Sequence, residues 1–342
     1  MAARATNKAP PKHAEMKMKP NNKTTNTLCG IISRLLLLAA TLATFVTPAR
    51  ADLYVSAGGN NTAGQTIQRI DTTGTVSTFA TLPASSNPYG LDFDSGGNLD
   101  VGGQSNVGRV QKITPAGIVS TFATGAGSFI GGLAINSGND IYTAGYLGGG
   151  TINKITPAGA VSTIASGYAN PPQKMVCAKR SAVSTIASGY ANPLGLAIDS
   201  SDNIYTSLQS GQLLKITPGG AVSTFATMSS FSRGLAFDSA GNLFAGVSTD
   251  IMKITPGGAV STFVATGFDT WGLVSDSSDN LFAVDHFGNR IVEITSGGAM
   301  STFANVSAPN YIAVSSVPEP TSALLLLGSG AMLLLRRRRA SV

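Results

Sequence analysis

Gly234-Leu235-Ala236-Phe237-Asp238-Ser239-Ala240-Gly241-Asn242-Leu243-Phe244-Ala245-Gly246-Val247 is followed, three residues later, by Ile251-Met252-Lys253-Ile254-Thr255-Pro256-Gly257-Gly258-Ala259-Val260-Ser261-Thr262-Phe263. The stretch holds four apolar phrases of strand length, rich in β-branched and aromatic residues. The first link, Asp238 to Asn242, puts Gly241 in fourth place, where a type I turn with a bulge needs φ > 0. The link Thr255-Pro256-Gly257-Gly258 presets φ with proline and then supplies glycine. Tight hairpins therefore join successive strands into a four-stranded antiparallel unit.

That unit is written six times. The isoleucines of the Lys-Ile-Thr-Pro phrase and its weaker copies are Ile70, Ile113, Ile155, Ile216, Ile254 and Ile294, spaced by 43, 42, 61, 38 and 40 residues. The Val-Ser-Thr-Phe phrase begins at Val76, Val119, Val161, Val222, Val260 and Met300. The Gly-Leu-Ala phrase begins at Gly90, Gly132, Gly195, Gly234 and Gly272, with Asn310–Ala313 as a sixth. A fourth phrase carries Leu53, Leu99, Ile141, Ile204, Leu243 and Leu281. A repeat of about 40 residues with four hairpin-linked strands is a propeller blade.

The expected fold is therefore all-β: a six-bladed β-propeller of four-stranded blades over residues 52–317. The chain enters at a second strand, Leu53, and its last repeat ends on a first strand, Tyr311–Val314. The C-terminal strand should complete the N-terminal blade, closing the ring without a bare edge. Phe79, Phe122, Ile164, Phe225, Phe263 and Phe303 recur at one place in the outer strand and are expected to pack between blades. The 61-residue interval contains a duplication. Ala160–Pro171 and Ala182–Pro193 are the same twelve residues offset by 22, and removing the offset restores a spacing of 39. One copy is expected to form the outer strand, and residues 172–193, with Cys177, an inserted loop.

The ends have a different character. Residues 1–51 carry Lys8, Lys12, Lys17, Lys19, Lys23 and Arg34, an apolar run from Leu35 to Val46, and then Ala49-Arg50-Ala51. This order is that of a secretory signal, with Asp52 as the expected first mature residue. The other end reads Val317-Pro318-Glu319-Pro320, an apolar stretch over 321–335, and Arg336-Arg337-Arg338-Arg339. Fifteen residues span roughly 22 Å as a helix, a short membrane segment, and the arginines would stay cytoplasmic. Residues 318–342 resemble the PEP-CTERM sorting signal of Gram-negative bacteria. The resemblance implies recognition by an exosortase, transient anchoring in the inner membrane, and release to the cell surface or exopolysaccharide matrix.

The chain has 342 residues and a formal charge of +6. Eight of its 23 Lys/Arg lie in residues 1–51 and four in 318–342, leaving 11 against 15 acidic residues in the body. A net of −4 there disfavours nucleic acid as a partner. After loss of the signal Cys177 is the lone cysteine, so neither an intrachain disulfide nor a paired-cysteine metal site is available.

The body also resembles NHL-repeat propellers and the wider group of lactonase-like and streptogramin-lyase-like propellers. The nearest copy is Asn280-Leu281-Phe282-Ala283-Val284-Asp285-His286-Phe287-Gly288-Asn289-Arg290-Ile291. The lyase resemblance implies a histidine base beside a metal held by glutamate, and only His286 and Glu293 offer that in the body. The lactonase resemblance implies a divalent cation held by Glu, Asn and Asp from several blades. Asp94, Asp199, Asp238 and Asp276 recur in turns, where capping accounts for them. Trp271, the single tryptophan, is expected to be buried. The reading is a monomeric, exported binding module without a cofactor, its partner an extracellular protein or polysaccharide. The alternative is a metal-dependent lactonase- or lyase-like enzyme.

Overall fold

Six sheets, antiparallel but for one short edge strand, form the body in a computed structural model that describes residues 50–58, 65–103, 107–147, 150–166, 187–188 and 192–315. The chain divides after Pro48, and every described residue belongs to the second unit. The expected cleavage residue Ala49, most of 172–193, the Pro-Glu-Pro motif, the 321–335 segment and Arg336 to Arg339 lie outside the described residues. Among those described, no helix is long and apolar enough to cross a membrane.

Blade 1 orders its strands β25 (Pro309–Val314), β1 (Leu53–Ala57), β2 (Thr66–Ile70) and β3 (Val76–Thr81). The ring is closed as the phase of the repeat requires: Leu53 pairs with Val314 and Tyr54 with Ala313. Blade 2 follows as β4 (Pro88–Phe93), β5 (Leu99–Gly103), β6 (Val110–Ile113) and β7 (Val119–Ala123). Blade 3 is β8 (Ser128–Ile135), β9 (Ile141–Leu147), β10 (Thr151–Ile155), β11 (Val161–Ser166) and β12 (Ala187–Ser188). Blade 4 is β13 (Pro193–Ile198), β14 (Ile204–Leu208), β15 (Gln212–Ile216) and β16 (Val222–Thr227). Blade 5 is β17 (Ser232–Phe237), β18 (Leu243–Val247), β19 (Asp250–Ile254) and β20 (Val260–Ala265). Blade 6 is β21 (Thr270–Ser275), β22 (Leu281–Asp285), β23 (Arg290–Ile294) and β24 (Met300–Asn305).

Blade 3 departs from the expected four strands. The first copy of the duplicated segment forms its outer strand, and two residues of the second copy, Ala187 and Ser188, add to that edge in parallel. The bare edge of an outer strand offers unpaired backbone groups, and an identical sequence held nearby can dock on them. Pro193, at the end of the second copy, already opens the inner strand of blade 4.

Both hairpin links have the expected chemistry. Asp94 Oδ1 accepts the Gly96 and Asn98 amides at 2.9 and 2.8 Å, and Gly97 takes φ 76°. The equivalent residues Asn139, Asp202 and Asp279 take φ 61°, 58° and 60°. These three also reach back to the preceding blade: Asn139 accepts the Ser95 amide at 2.9 Å, Asp202 that of Ser137 at 3.0 Å, and Asp279 that of Ser239 at 2.8 Å. The second link packs backward too. At Gly258, with φ +84°, a Cβ would stand 2.7 Å from the Phe225 carbonyl oxygen of the preceding blade.

The recurring outer-strand aromatics lie between blades. Tyr54 meets Phe79 of its own blade at 4.9 Å and Phe93 of the next at 5.0 Å, both edge-on. Tyr205 repeats the arrangement with Phe225 and Phe237 at 5.0 and 5.1 Å. Edge-to-face pairs of this kind add about 0.5–1.5 kcal/mol each beyond area burial.

Candidate functional site: the central channel and its mouth

Strands β25, β4, β8, β13, β17 and β21 are the innermost of each blade and together line a cavity of about 290 Å³. Leu91, Leu133, Leu196, Leu235, Leu273 and Ile312 occupy one register position around it and form an apolar belt in a wall that is otherwise about equally polar. Two charged residues join that lining, Asp92 and Arg233. Asp92 Oδ1 accepts the Phe93 amide and Oδ2 the Ile135 amide, each at 2.8 Å, tying β4 to β8. Burial dominates and raises this carboxyl to about 6, against those hydrogen bonds.

Asp92 stands opposite Asp100 in the β4–β5 ladder, and Asp100 opposite Lys112 in β5–β6. Burial raises Asp100 to about 6 as well. Lys112 Nζ lies 2.7 Å from both Asp100 and Asp94. Desolvation works to lower its ammonium, and hydrogen bonds to Asp100 and Asp94 outweigh that and raise it.

The residue two places before that belt stands nearer the start of each inner strand. These are Tyr89, Gly131, Leu194, Arg233, Trp271 and Asn310, a set in which no two residues are alike and of which Arg233 also lines the cavity. The β22–β23 link, with His286 and Phe287, opens at the same end. Trp271 stacks on His286 at 3.8 Å with 5° between the rings, and Tyr89 lies 6.1 Å from its centroid. The Arg233 guanidinium sits 4.7 Å over the indole. Asp269 ties the pair together, accepting Trp271 Nε1 at 3.1 Å and Arg233 Nη1 at 3.0 Å. Phe287 meets His286 edge-on at 5.0 Å and is 73% exposed. Tyrosine, tryptophan and arginine fixed to one another at one end of the inner ring are the residue types of an interaction hot spot.

The structure does not bring His286 and Glu293 together. His286 Nδ1 donates to the Pro309 carbonyl at 2.8 Å, which fixes the ring against Trp271. Glu293 pairs with Phe282 three rungs down the β22–β23 ladder from the Asp285–Arg290 pair, about 10 Å along the strand. Its carboxylate is held by Arg50 at 2.9 Å. Asp94, Asp199, Asp238 and Asp276 each bond the amide four residues on in their own turn, the capping role expected of them. Among the described residues no group of three or more His, Cys, Asp or Glu is gathered to hold a metal ion. Trp271 is half-buried under His286 rather than enclosed in the core.

Sequence and structure comparisons agree with this architecture. The PEP-CTERM protein-sorting motif matches residues 316–339, so the chain carries that motif immediately after its closing strand. The motif implies an exported protein that passes through a membrane-anchored intermediate and an exosortase-type system. No curated protein matches the chain. A chain of a nidogen/laminin complex is 15% identical with a TM-score of 0.62, over 78% of this chain and 98% of that one. A streptogramin B lyase is 13% identical with a TM-score of 0.54, over 79% and 90%. A gluconolactonase from Xanthomonas campestris is 14% identical with a TM-score of 0.54, over 78% and 91%. At these identities the likeness is one of fold alone, and a shared fold does not fix a shared function.

Proposed function

We propose that the protein is a binding module of the surface of a Gram-negative cell or its extracellular matrix, and that the channel mouth makes the contact. The export signal would lie within residues 1–51, the binding body span 52–317, and 318–342 be removed after sorting. Phe287 carries the reading: among the described residues it is the one strongly exposed aromatic ring, and it stands on a rim of rings and ions already fixed to one another. A preorganised aromatic rim loses little side-chain entropy on binding. The partner is a polymer of the matrix, polysaccharide or protein.

The test is retention on the matrix fraction of the producing cells. Phe287→Ala should lower retention of the mature protein several-fold with the melting temperature unchanged. Arg233→Ala should lower retention likewise while losing about 2–6 °C of melting temperature with its Asp269 and Trp271 contacts. Glycosidase or protease treatment of the matrix then identifies which polymer holds it. Undiminished retention of both variants refutes the site.

A second reading, a lyase- or lactonase-like enzyme, draws on His286, which the bond from Nδ1 to Pro309 and the stack on Trp271 hold in one orientation. A chelator-reversible rise of several degrees in melting temperature with divalent ions would favour it.

A further inference from the structure

The segment Thr47-Pro48-Ala49-Arg50-Ala51-Asp52 offers two cleavage points, since Ala49 and Ala51 each provide the small residue required before the cut, with Thr47 or Ala49 two places earlier. We infer that the cut falls after Ala49, so that the exported protein begins at Arg50 and keeps it as part of the propeller. This rests on the export reading above.

The repeat itself makes the argument. Five blades carry a basic residue at one place in the third strand: Arg69, Lys112, Lys154, Lys215 and Lys253. Four of these lie over an aromatic ring of their own blade, Lys112 over Phe122 at 4.8 Å, Lys154 over Tyr142 at 5.8 Å, and Lys215 and Lys253 over Tyr205 and Phe244 at 5.4 Å. Blade 6 has Glu293 at that place, a reversed charge beside the equivalent rings Phe282 and Phe303. Arg50 supplies the missing cation from outside the repeat. Its guanidinium lies 4.5 Å from the Phe282 centroid and 4.4 Å from that of Phe303, and Nη2 pairs with Glu293 at 2.9 Å. Cleavage after Ala51 would discard this residue and leave Glu293 against two rings without its cation.

The new terminus points the same way. Asp52 is 5% exposed and Leu53 2%, and the Asp52 carbonyl accepts the Ser315 amide at 3.0 Å. A cut after Ala51 would create an α-ammonium on that buried residue, where desolvation opposes charge. A cut after Ala49 places it two residues further from Asp52, on the half-buried Arg50.

The experiment is N-terminal sequencing and intact mass of the protein exported from the full-length chain. A start at Arg50 is expected; a start at Asp52, or anywhere else, overturns the inference. A chain that retains residues 1–49 instead overturns the export reading, and this inference with it. In a second arm Ala49→Leu should stop processing and Ala51→Leu should not; if both stop it, the cut lies after Ala51. In a third, Arg50→Ala should lower the melting temperature of the processed protein by about 2–6 °C. Adding Glu293→Lys, which restores the lysine of the other blades, should recover most of that loss. Melting unchanged by Arg50→Ala removes its structural role.

Discussion

Adjacent glycines in β8 test how the inner ring is packed. A Cβ on Gly132 would stand 2.6 Å from the Leu194 carbonyl oxygen and 3.0 Å from the Leu196 amide, both backbone atoms of the next blade. A Cβ on Gly131 would find nothing nearer than the same oxygen at 3.6 Å, an ordinary contact. Neither glycine has a positive φ, and both are buried. Gly132→Ala therefore forces two inner strands apart, which costs about 1–3 kcal/mol, offset by about 0.4–1 kcal/mol from the reduced entropy of the unfolded chain. Gly131→Ala receives only the entropic gain. At about 2–4 °C per kcal/mol for a domain of this size, Gly132→Ala should melt below the parent by up to about 10 °C and Gly131→Ala about 1–4 °C above it. Thermal melts followed by circular dichroism decide the matter. Equal stability of the two variants would refute the close approach of the inner strands, and with it the reason glycine recurs at Gly90, Gly195, Gly234 and Gly272, where the nearest backbone atoms lie at 2.5 to 2.9 Å.

Ser56 Oγ donates to the Tyr89 carbonyl at 2.9 Å and accepts the Tyr311 amide at 3.0 Å in a site with no exposure, so Ser56→Ala should cost about 1–3 kcal/mol and weaken ring closure, read as a lower urea midpoint. Asp92 binds its proton more tightly folded than unfolded, so its contribution is present at low pH and lost as pH rises from about 4 through 6, up to ~3 kcal/mol. Asp92→Asn should flatten the fall of melting temperature between pH 4 and 7, and an unchanged slope would exclude Asp92 as its source. Deleting residues 172–193 joins Pro171 to Leu194 and puts the first copy's proline in the place of Pro193. The propeller should then melt within a few degrees of the parent by differential scanning calorimetry, and its collapse would mean that the second copy is structural.

Local chemistry made the ring legible before its contacts were. Asp94 and Asn98 mark a turn because aspartate caps it, and Gly97, Asn139, Asp202, Gly241 and Asp279 mark one position because each tolerates φ > 0. The closure was readable from phase alone, since Leu53 opens on a second strand and Val314 ends on a first. The partners of Asn139, Asp202 and Asp279 were not readable. Each reaches a serine 40 to 65 residues away, and the turn requires only their backbone conformation. His286 and Glu293, close in sequence, are carried apart by the hairpin between them, because in an antiparallel ladder distance grows with each rung from the turn.

The mouth and Arg50 escaped sequence reading for a common reason. A repeat is recognised by what recurs, and recurrence selects the residues that hold blades together: the glycines of the inner ring, the turn aspartates, the outer aromatics. Tyr89, Arg233, Trp271 and Asn310 share one register position and no chemistry, so they contribute nothing to the pattern and are visible only once the pattern has been aligned. Within an internally repeated chain, variation in chemistry at one register position beside a recurring phrase is therefore itself a signal, because a structural position tends to keep one kind of residue, as the turn position keeps those that tolerate φ > 0. Glu293 gives the same lesson with the opposite sign. Its charge breaks a run of five basic residues, and the break has meaning only beside Arg50, which the repeat does not contain.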